Sequence, residues 1–124
     1  EIDAGPFYDK RDVSLDGSLC EIFDKLNFAV NSMISDLIKG LPEPRPQKGQ
    51  VVNFSRLSKA DNELVDGLSL TDLYDRIRML DEPSYPNAYM RFGELAIEFF
   101  NVSKSDDKLT CNVIIHETLD ELKK

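Results

Sequence analysis

The sequence is short of basic residues, and this shortage disfavours one class of function. Fifteen Lys and Arg stand against 23 Asp and Glu, so the 124 residues carry a net charge of −8. A nucleic-acid binder usually needs a basic patch that replaces the counterions of the phosphates. Acidic residues outnumber basic ones both in residues 1–55 and in residues 56–124. Strong nonspecific binding to RNA or to an anionic membrane is therefore disfavoured.

Cysteine, histidine and long apolar runs are also scarce. Cys20 and Cys111 have no C-x-x-C spacing and no nearby partner for zinc. We expect two reduced thiols in a cytoplasmic protein, with a disulfide between them as the alternative. The single histidine, His116, is expected to be structural, and no metal site is predicted. No apolar run approaches the roughly 20 residues that a membrane span needs, so no membrane segment is predicted.

A long amphipathic helix is predicted after residue 18. Ser18 and Glu21 have the spacing of a capping box, and apolar residues recur at three- and four-residue steps from Ile22 to Leu37. Gly40 is a C-terminal stop signal, and three prolines follow within five residues. These prolines exclude helix and favour an extended connector. The broad apolar stripe requires a sheet to pack on. Residues 1–17 supply at most a strand or two, so we expect part of that sheet to be missing.

The second half of the chain predicts a short helix followed by antiparallel strands. The helix begins at Ser69 or Thr71 and ends at Asp81-Glu82-Pro83. Residues 87–92, 95–100 and 109–115 have the composition of strands, with a tight turn at 93–94 and a polar turn at 103–107. The charged tail at residues 117–124 is predicted to form a final helical turn. The order of elements predicts an α+β fold.

Two segments, in this order, resemble one enzyme family. Ile2-Asp3-Ala4-Gly5-Pro6 precedes the long helix, and Ile77-Arg78-Met79-Leu80 precedes Tyr85-Pro86-Asn87-Ala88-Tyr89. This pair is similar to the second half of the 10-formyltetrahydrofolate-dependent formyltransferases, which include methionyl-tRNA, glycinamide ribonucleotide and sugar N-formyltransferases. The resemblance implies that residues 1–40 end the catalytic domain, that residues 41–58 form a linker, and that residues 59–124 form a C-terminal domain with a small, open, OB-like antiparallel barrel.

The resemblance also implies a catalytic role for Asp3. In the family, the corresponding acid orients a histidine and a water and assists proton transfer as an amine attacks the formyl carbon. The family's Asn and His belong to an upstream motif that this chain lacks, and its folate-binding residues are unknown here. The chain alone is therefore expected to be inactive. Without the resemblance, Asp3 reads as an acid that caps a turn.

A second candidate site follows the short helix. Arg78, Asp81 and Tyr85, with Arg76 nearby, are predicted to line the entrance for the acceptor, and Arg78 would bind a phosphate or carboxylate. The alternative is that both arginines are solvated and that Asp81 caps the next turn. The aromatic residues Tyr89, Phe92, Phe99 and Phe100 are expected to be barrel core, because too few basic residues accompany them for base stacking.

These observations predict a formyltransferase that acts on a primary amine. The whole enzyme would use 10-formyltetrahydrofolate, without a metal, and an amino sugar on a nucleotide carrier is the preferred acceptor. Methionyl-tRNA is the alternative acceptor, less favoured because of the acidic composition. A noncatalytic OB-like binding module is an alternative of another class. The apolar stripe of the long helix is expected to cause self-association.

Overall fold

The computed structural model describes residues 5–117, which form two compact units. The first unit contains residues 5–16 and 21–55, and the second contains residues 17–20 and 56–117. Two α-helices and a three-stranded antiparallel sheet make up the regular structure. The predicted α+β class is confirmed. The three strands form an open sheet. Its closure into an OB-like barrel stays a prediction, as do the two boundaries that separate residues 1–40, 41–58 and 59–124.

The first unit is built around helix α1, which spans Leu19–Lys39 and shares its first two residues with the second unit. The helix begins directly after Ser18, where the capping box predicted it. It ends before Gly40, whose N–H still donates to the Asp36 carbonyl. Arg11 joins the extended residues before α1 to the helix, because its guanidinium donates to Ser32 Oγ at 2.6 Å and to Asp36 Oδ2 at 2.5 Å. The prolines hold residues 41–58 outside any helix or named strand.

The second unit contains helix α2, Leu70–Arg78, and strands β1, Ala88–Phe92, β2, Leu95–Ser105, and β3, Lys108–Glu117. A 3-10 helix at Lys59–Asn62 precedes them. The strands follow the order β1-β2-β3, with both neighbouring pairs antiparallel. Helix α2 packs on β2 and β3. The buried residues of this unit are mainly apolar: Leu19, Ile77, Ala88, Tyr89 and Ala96, with Asn62 as a buried polar residue.

Local signals explain where α2 and the β1–β2 hairpin begin and end. Ser69 is the N-cap of α2, since its Oγ accepts the Asp72 N–H at 3.1 Å while the Asp72 carboxylate accepts the Ser69 N–H. Gly93 has φ of +60° in the two-residue turn between β1 and β2, a conformation that glycine adopts without steric cost. The predicted turn at residues 93–94 is confirmed.

Strand β2 is longer than the sequence predicts. It continues to Ser105, through residues predicted to form a polar turn, and the turn contains only Asp106 and Asp107. A bulge between Phe100 and Ser103 shifts the register of β2 against β3, and Asn101 in this bulge has φ of +51°. After the bulge, the polar residues Ser103 to Ser105 continue the hydrogen-bonded pairing of β2 with β3 beyond the apolar residues that end at Phe100. The predicted helical turn at residues 117–124 lies almost wholly outside the described residues, and Glu117 itself ends β3.

Candidate functional site

Asp3 lies outside the described residues, but the segment that follows it is held by the proline-rich connector. Phe7 and Arg45 form an antiparallel bridge in which each N–H donates to the other residue's carbonyl at 2.9 Å. Gln47 Nε2 donates to the Gly5 carbonyl at 2.8 Å. These three hydrogen bonds define a contact that we call the 5–7/45–47 clamp. The catalytic role of Asp3 stays a prediction.

The ring of Phe7 lies between two cations of the same unit. The Lys10 ammonium stands 4.2 Å, and the Arg45 guanidinium carbon 4.9 Å, from the ring centroid. Both distances are within the range of cation–π attraction. Phe7 is half-buried, whereas Gly5, Arg45 and Gln47 are exposed. The clamp therefore rests on hydrogen bonds and ring contacts at the surface, not on apolar burial.

Arg78 is occupied by contacts within the second unit. Its Nε donates to Asp75 Oδ1 at 2.7 Å, and its Nη1 donates to the Gly17 carbonyl at 2.7 Å. The guanidinium also lies 5.5 Å from the Tyr74 ring centroid, and the side chain is only 14% exposed. Arg78 thus ties α2 to the residues that precede α1. Its predicted role in binding the acceptor stays a prediction.

Asp81 and Tyr85, which were predicted to line the entrance for the acceptor, line the same cavity. The cavity encloses about 400 Å³, and it is lined by Cys20, Asp81, Glu82, Pro83, Tyr85, Asn87, Phe100, Asn101 and Ile114. The Asp81 carboxylate accepts the Asn101 N–H at 2.6 Å, and the Glu82 carboxylate accepts the Ser84 N–H at 2.8 Å. Arg78 is not among the lining residues, so the structure brings together two of the three predicted residues. The lining therefore combines two acidic residues, Asp81 and Glu82, with the apolar Pro83, Phe100 and Ile114.

Arg76 lines a different cavity of the second unit. This space of about 610 Å³ is lined by Leu57, Asp61, Asn62, Arg76, Met79 and Leu80. Asp61 is engaged with Ser58, whose backbone and side-chain hydrogen bonds lower the pKa of the carboxyl. The amide of Asn62 donates to the Pro86 carbonyl at 2.8 Å. Within residues 5–117, Arg76 has no hydrogen bond or ion pair, and it is exposed. The guanidinium is therefore exposed and forms no ion pair, although its charge acts on the Asp72 carboxyl and helps to lower the pKa of that group.

Two clusters on the sheet were not predicted from the sequence. Glu98 stands between His116 Nε2 at 3.3 Å and Asn87 Nδ2 at 3.4 Å. On the neighbouring strand, Arg91 Nε lies 3.4 Å from Glu63 Oε1.

The second cluster also includes the hydroxyl of Tyr89, which donates to Glu63. The Tyr89 hydroxyl lies 3.4 Å from Glu63 Oε2. Hydrogen bonding to Tyr89, followed by the charge of Glu63, raises the pKa of Arg91. Arg91 is thus paired, unlike Arg76. No sequence pattern indicates these clusters, because their members come from different elements.

The thiols, possible metal ligands and helices within residues 5–117 bear on cofactor and membrane binding. The two thiols, Cys20 and Cys111, are free. Across residues 5–117, no group of three His, Cys, Asp or Glu side chains is arranged to hold a metal ion. None of the helices described has the length and apolar character needed to cross a membrane.

Comparisons with known proteins point to one family. Residues 59–116 match the family model described as methionyl-tRNA formyltransferase, C-terminal domain. Among solved structures, methionyl-tRNA formyltransferase from Clostridium thermocellum is similar to this chain, with a TM-score of 0.86 and 35% sequence identity. The match covers 94% of this chain and 52% of that chain, so this chain spans about half the length of that relative. The curated proteins contain no match.

Proposed function

We propose, from the premise that this chain corresponds to the C-terminal part of a formyltransferase, that the protein containing it formylates methionyl-tRNA. The observation that carries the proposal is the 35% identity to a methionyl-tRNA formyltransferase over 94% of the chain. The match of residues 59–116 to the C-terminal domain model of that enzyme agrees with it. The predicted family is thus confirmed, and the acceptor and the activity of the whole protein are proposals.

The reaction transfers a formyl group from 10-formyltetrahydrofolate to a primary amine. The amine nitrogen attacks the formyl carbon, the bond from that carbon to the folate nitrogen breaks, and the proton that the amine loses is balanced by one that the folate nitrogen gains as tetrahydrofolate leaves. Asp3 would assist this proton transfer together with the upstream residues that the resemblance implies. We assign no folate-binding residue among those described. The chain by itself should not catalyse the reaction, since one carboxylate cannot supply attack geometry, a base and oxyanion donors together.

The preference for an amino sugar as acceptor is not supported by the comparisons, which favour the alternative, methionyl-tRNA. The preference rested on the acidic composition, and net charge does not describe the local surface. Several acids are already engaged: Asp36 with Arg11 and Lys39, Asp75 with Arg78, and Glu63 with Arg91. Their charges are locally compensated. Each of these pairs also uses a cation, so they leave the net charge of −8 unchanged, and a local basic surface requires unpaired cations grouped in one place.

A group of unengaged cations supports contact with phosphates. Arg56 and Lys59 flank Leu57 in the chain, and Leu57 lines the same cavity as Arg76. All three cations are exposed, and within residues 5–117 none of them forms a hydrogen bond or an ion pair. Cations of this kind bind a phosphate without first giving up another partner. We therefore include Arg56, Lys59 and Arg76 in the proposed tRNA surface.

The whole protein should be assayed with 10-formyltetrahydrofolate and either methionyl-tRNA or a panel of nucleotide-linked amino sugars. We expect formyl-methionyl-tRNA as the product, and an affinity for tRNA that falls steeply with salt. Arg76→Ala should weaken tRNA binding and reduce the slope of log K against log salt by about 1. Arg91→Ala is the matched control. Because Arg91 is already paired with Glu63, this substitution should leave the salt dependence of tRNA binding unchanged.

Two outcomes would contradict the proposal. Formylation of an amino sugar without formylation of methionyl-tRNA would show that the amino sugar is the acceptor. Absence of any formyl transfer by the intact, folded protein would favour the noncatalytic binding module. A cytoplasmic location is part of the proposal, because free thiols at Cys20 and Cys111 fit a reducing compartment.

A further inference from the structure

One face of the three-stranded sheet is almost entirely apolar. Successive residues of a strand alternate between the two faces of a sheet, and the register shows which residues of neighbouring strands stand opposite one another. This face consists of three rows of three residues, which are Ala88, Phe99 and Val113, then Met90, Ile97 and Ile115, then Phe92, Leu95 and Glu117. Glu117, at one corner, is the only charged residue among these nine.

The opposite face is more polar, and yet it contains two of the most buried residues of the sheet. On the same strands it carries Tyr89, Arg91, Ala96, Glu98, Ile114 and His116. Tyr89 is 3% exposed and Ala96 is 1% exposed, whereas Phe92 and Ile115 on the apolar face are 70% and 57% exposed. Antiparallel sheets ordinarily bury the apolar face and turn the polar face to water. Within residues 5–117 this sheet shows the reverse at these positions.

The exposed part of the apolar face lies away from Ala88, which is fully buried. We call it the sheet patch, and its members are Met90, Phe92, Leu95, Ile97, Val113 and Ile115. Leu95 and Ile97 are half-buried, and the other four are exposed. Phe92 was expected in the core of a barrel, and its exposure contradicts that expectation for the part of the chain that the structure describes.

The sheet patch has the area of a protein interface. Its six residues expose roughly 400 Å² of mostly apolar surface, a size that marks interaction sites on soluble proteins. An interface of standard size buries about 800 Å² on each partner, of which about 60% is apolar. The patch therefore supplies most of the apolar area that one side of such an interface needs.

The composition of the sheet patch favours a second copy of this chain as its partner. None of the six residues is charged, so the patch has no cation for a phosphate and does not fit tRNA. In a dimer with two-fold symmetry a patch meets the same patch of the other copy, and like charges there would repel each other. An uncharged apolar face meets this condition. Two such sheet faces pack about 10 Å apart, as in a β-sandwich.

We propose that the sheet patch is the contact surface of a homodimer, in which the sheets of two copies pack face to face. The interface buries Phe92 and Ile115, the most exposed residues of the patch. This inference goes beyond the proposed function and does not rest on it, because dimerisation is measured without folate or tRNA. It also uses residues other than those of the α1 stripe.

The main test compares two neighbouring residues on opposite faces of β3. Sedimentation velocity of the whole protein over a range of concentrations gives the dissociation constant of the dimer. Ile115→Lys should raise this constant about a hundredfold or more, because it places an unpaired charge in the apolar contact. Ile114→Lys is the matched control, since Ile114 is 50% exposed on the other face, and it should change the constant by less than about threefold.

A second variant removes apolar area without adding a charge. Phe92→Ser should weaken the dimer about tenfold or more, because a large aromatic side chain at the centre of a contact carries much of its free energy. Raising the salt from about 50 to 500 mM should not dissociate the wild-type dimer, since salt screens charges and not apolar contacts. Circular dichroism and the melting temperature of each variant show that it remains folded. If Ile115→Lys is partly unfolded, Phe92→Ser decides the question.

Four results would overturn the proposal. The first is a whole protein that remains monomeric at the highest concentration tested. The second is a dimer that both Ile115→Lys and Phe92→Ser leave intact. The third is equal dissociation by Ile114→Lys and Ile115→Lys, because pairing of strand edges is sensitive to both faces. The fourth is dissociation by Val30→Lys alone, which would place the contact on α1.

Discussion

The carboxylate of Asp81 accepts a hydrogen bond from the backbone N–H of Asn101 at 2.6 Å. Asp81 lies three residues beyond the end of α2, and Asn101 lies in the bulge of β2. The bulge leaves this N–H outside the sheet ladder, and the carboxylate satisfies it. This bond joins the turn after α2 to the irregular part of the sheet, and both residues line the same cavity.

Loss of the Asp81 carboxylate should destabilise the chain. Asp81→Ala leaves the Asn101 N–H without its acceptor, and we expect the free energy of unfolding to fall by about 1–2 kcal/mol. Urea unfolding monitored by circular dichroism measures the change. Asp106→Ala is the control, because Asp106 lies in the turn between β2 and β3 and has no hydrogen bond in the part of the chain that the structure describes. Equal effects of the two substitutions would show that the bond to Asn101 contributes nothing.

Asn101 should tolerate glycine better than a β-branched residue. Its φ of +51° lies in the left-handed region, which Asn and Gly adopt more readily than other residues. Asn101→Gly should leave the free energy of unfolding within about 0.5 kcal/mol of the wild type, and Asn101→Val should lower it by about 1–2 kcal/mol. Thermal unfolding of the two variants tests this order. A valine variant as stable as the glycine variant would contradict the observed conformation.

Arg78 should contribute to stability, whereas Arg76 should not. Arg78→Ala breaks the hydrogen bonds to Asp75 and to the Gly17 carbonyl, and we expect the free energy of unfolding to fall by about 1.5–3 kcal/mol. Arg76→Ala, on the same helix, should change it by less than about 0.5 kcal/mol. Kinetics of the whole protein test the other predicted role of Arg78. A higher KM for the acceptor with unchanged stability would support substrate binding and reject the structural role.

Acid should weaken the cap of α2. Hydrogen bonds from the Ser69 hydroxyl and backbone N–H lower the pKa of Asp72 below its ordinary 3.8. Because the folded pKa is depressed, the contribution of Asp72 to stability is fully present above the unfolded value and disappears as pH falls through the folded value. The difference in unfolding free energy between wild type and Asp72→Asn should be constant from pH 7 to 5 and should shrink below about pH 4. A constant difference down to pH 2 would contradict the cap.

Self-association through α1 stays a prediction, and the structure identifies the residues that test it. Phe23, Leu26, Val30 and Ile34 are exposed although they belong to the apolar stripe. In the 124-residue chain, Val30→Lys should shift the sedimentation profile toward the monomer. Asn31→Lys is the control, since residue 31 is exposed and lies about 100° around the helix from Val30, outside the apolar stripe. A wild-type chain that remains monomeric at high concentration would reject the prediction.

The sequence by itself determined the elements whose signals are local. Ser18 and Ser69 precede α1 and α2, because a cap satisfies N–H groups within one turn. Glycine at residue 93 defines the hairpin between β1 and β2. The ordered motifs around Asp3 and Arg78 also identified the family, which residues 59–116 match. The caps and the hairpin are predictable because the residues that interact lie close together in the chain. The family resemblance is predictable because it depends on the order of two motifs.

Only the tertiary structure decided the contacts between distant residues. The prolines predicted extended backbone near Arg45, but nothing in the sequence named Phe7 as its partner. Asp81 and Arg78 were grouped because they are three residues apart, yet one binds Asn101 and the other binds Gly17. Net charge likewise does not predict whether Arg76 forms an ion pair, because this depends on which acids lie within reach of its guanidinium. The packing of whole helices and strands determines which distant side chains come into contact. Periodicity and composition do not predict that packing.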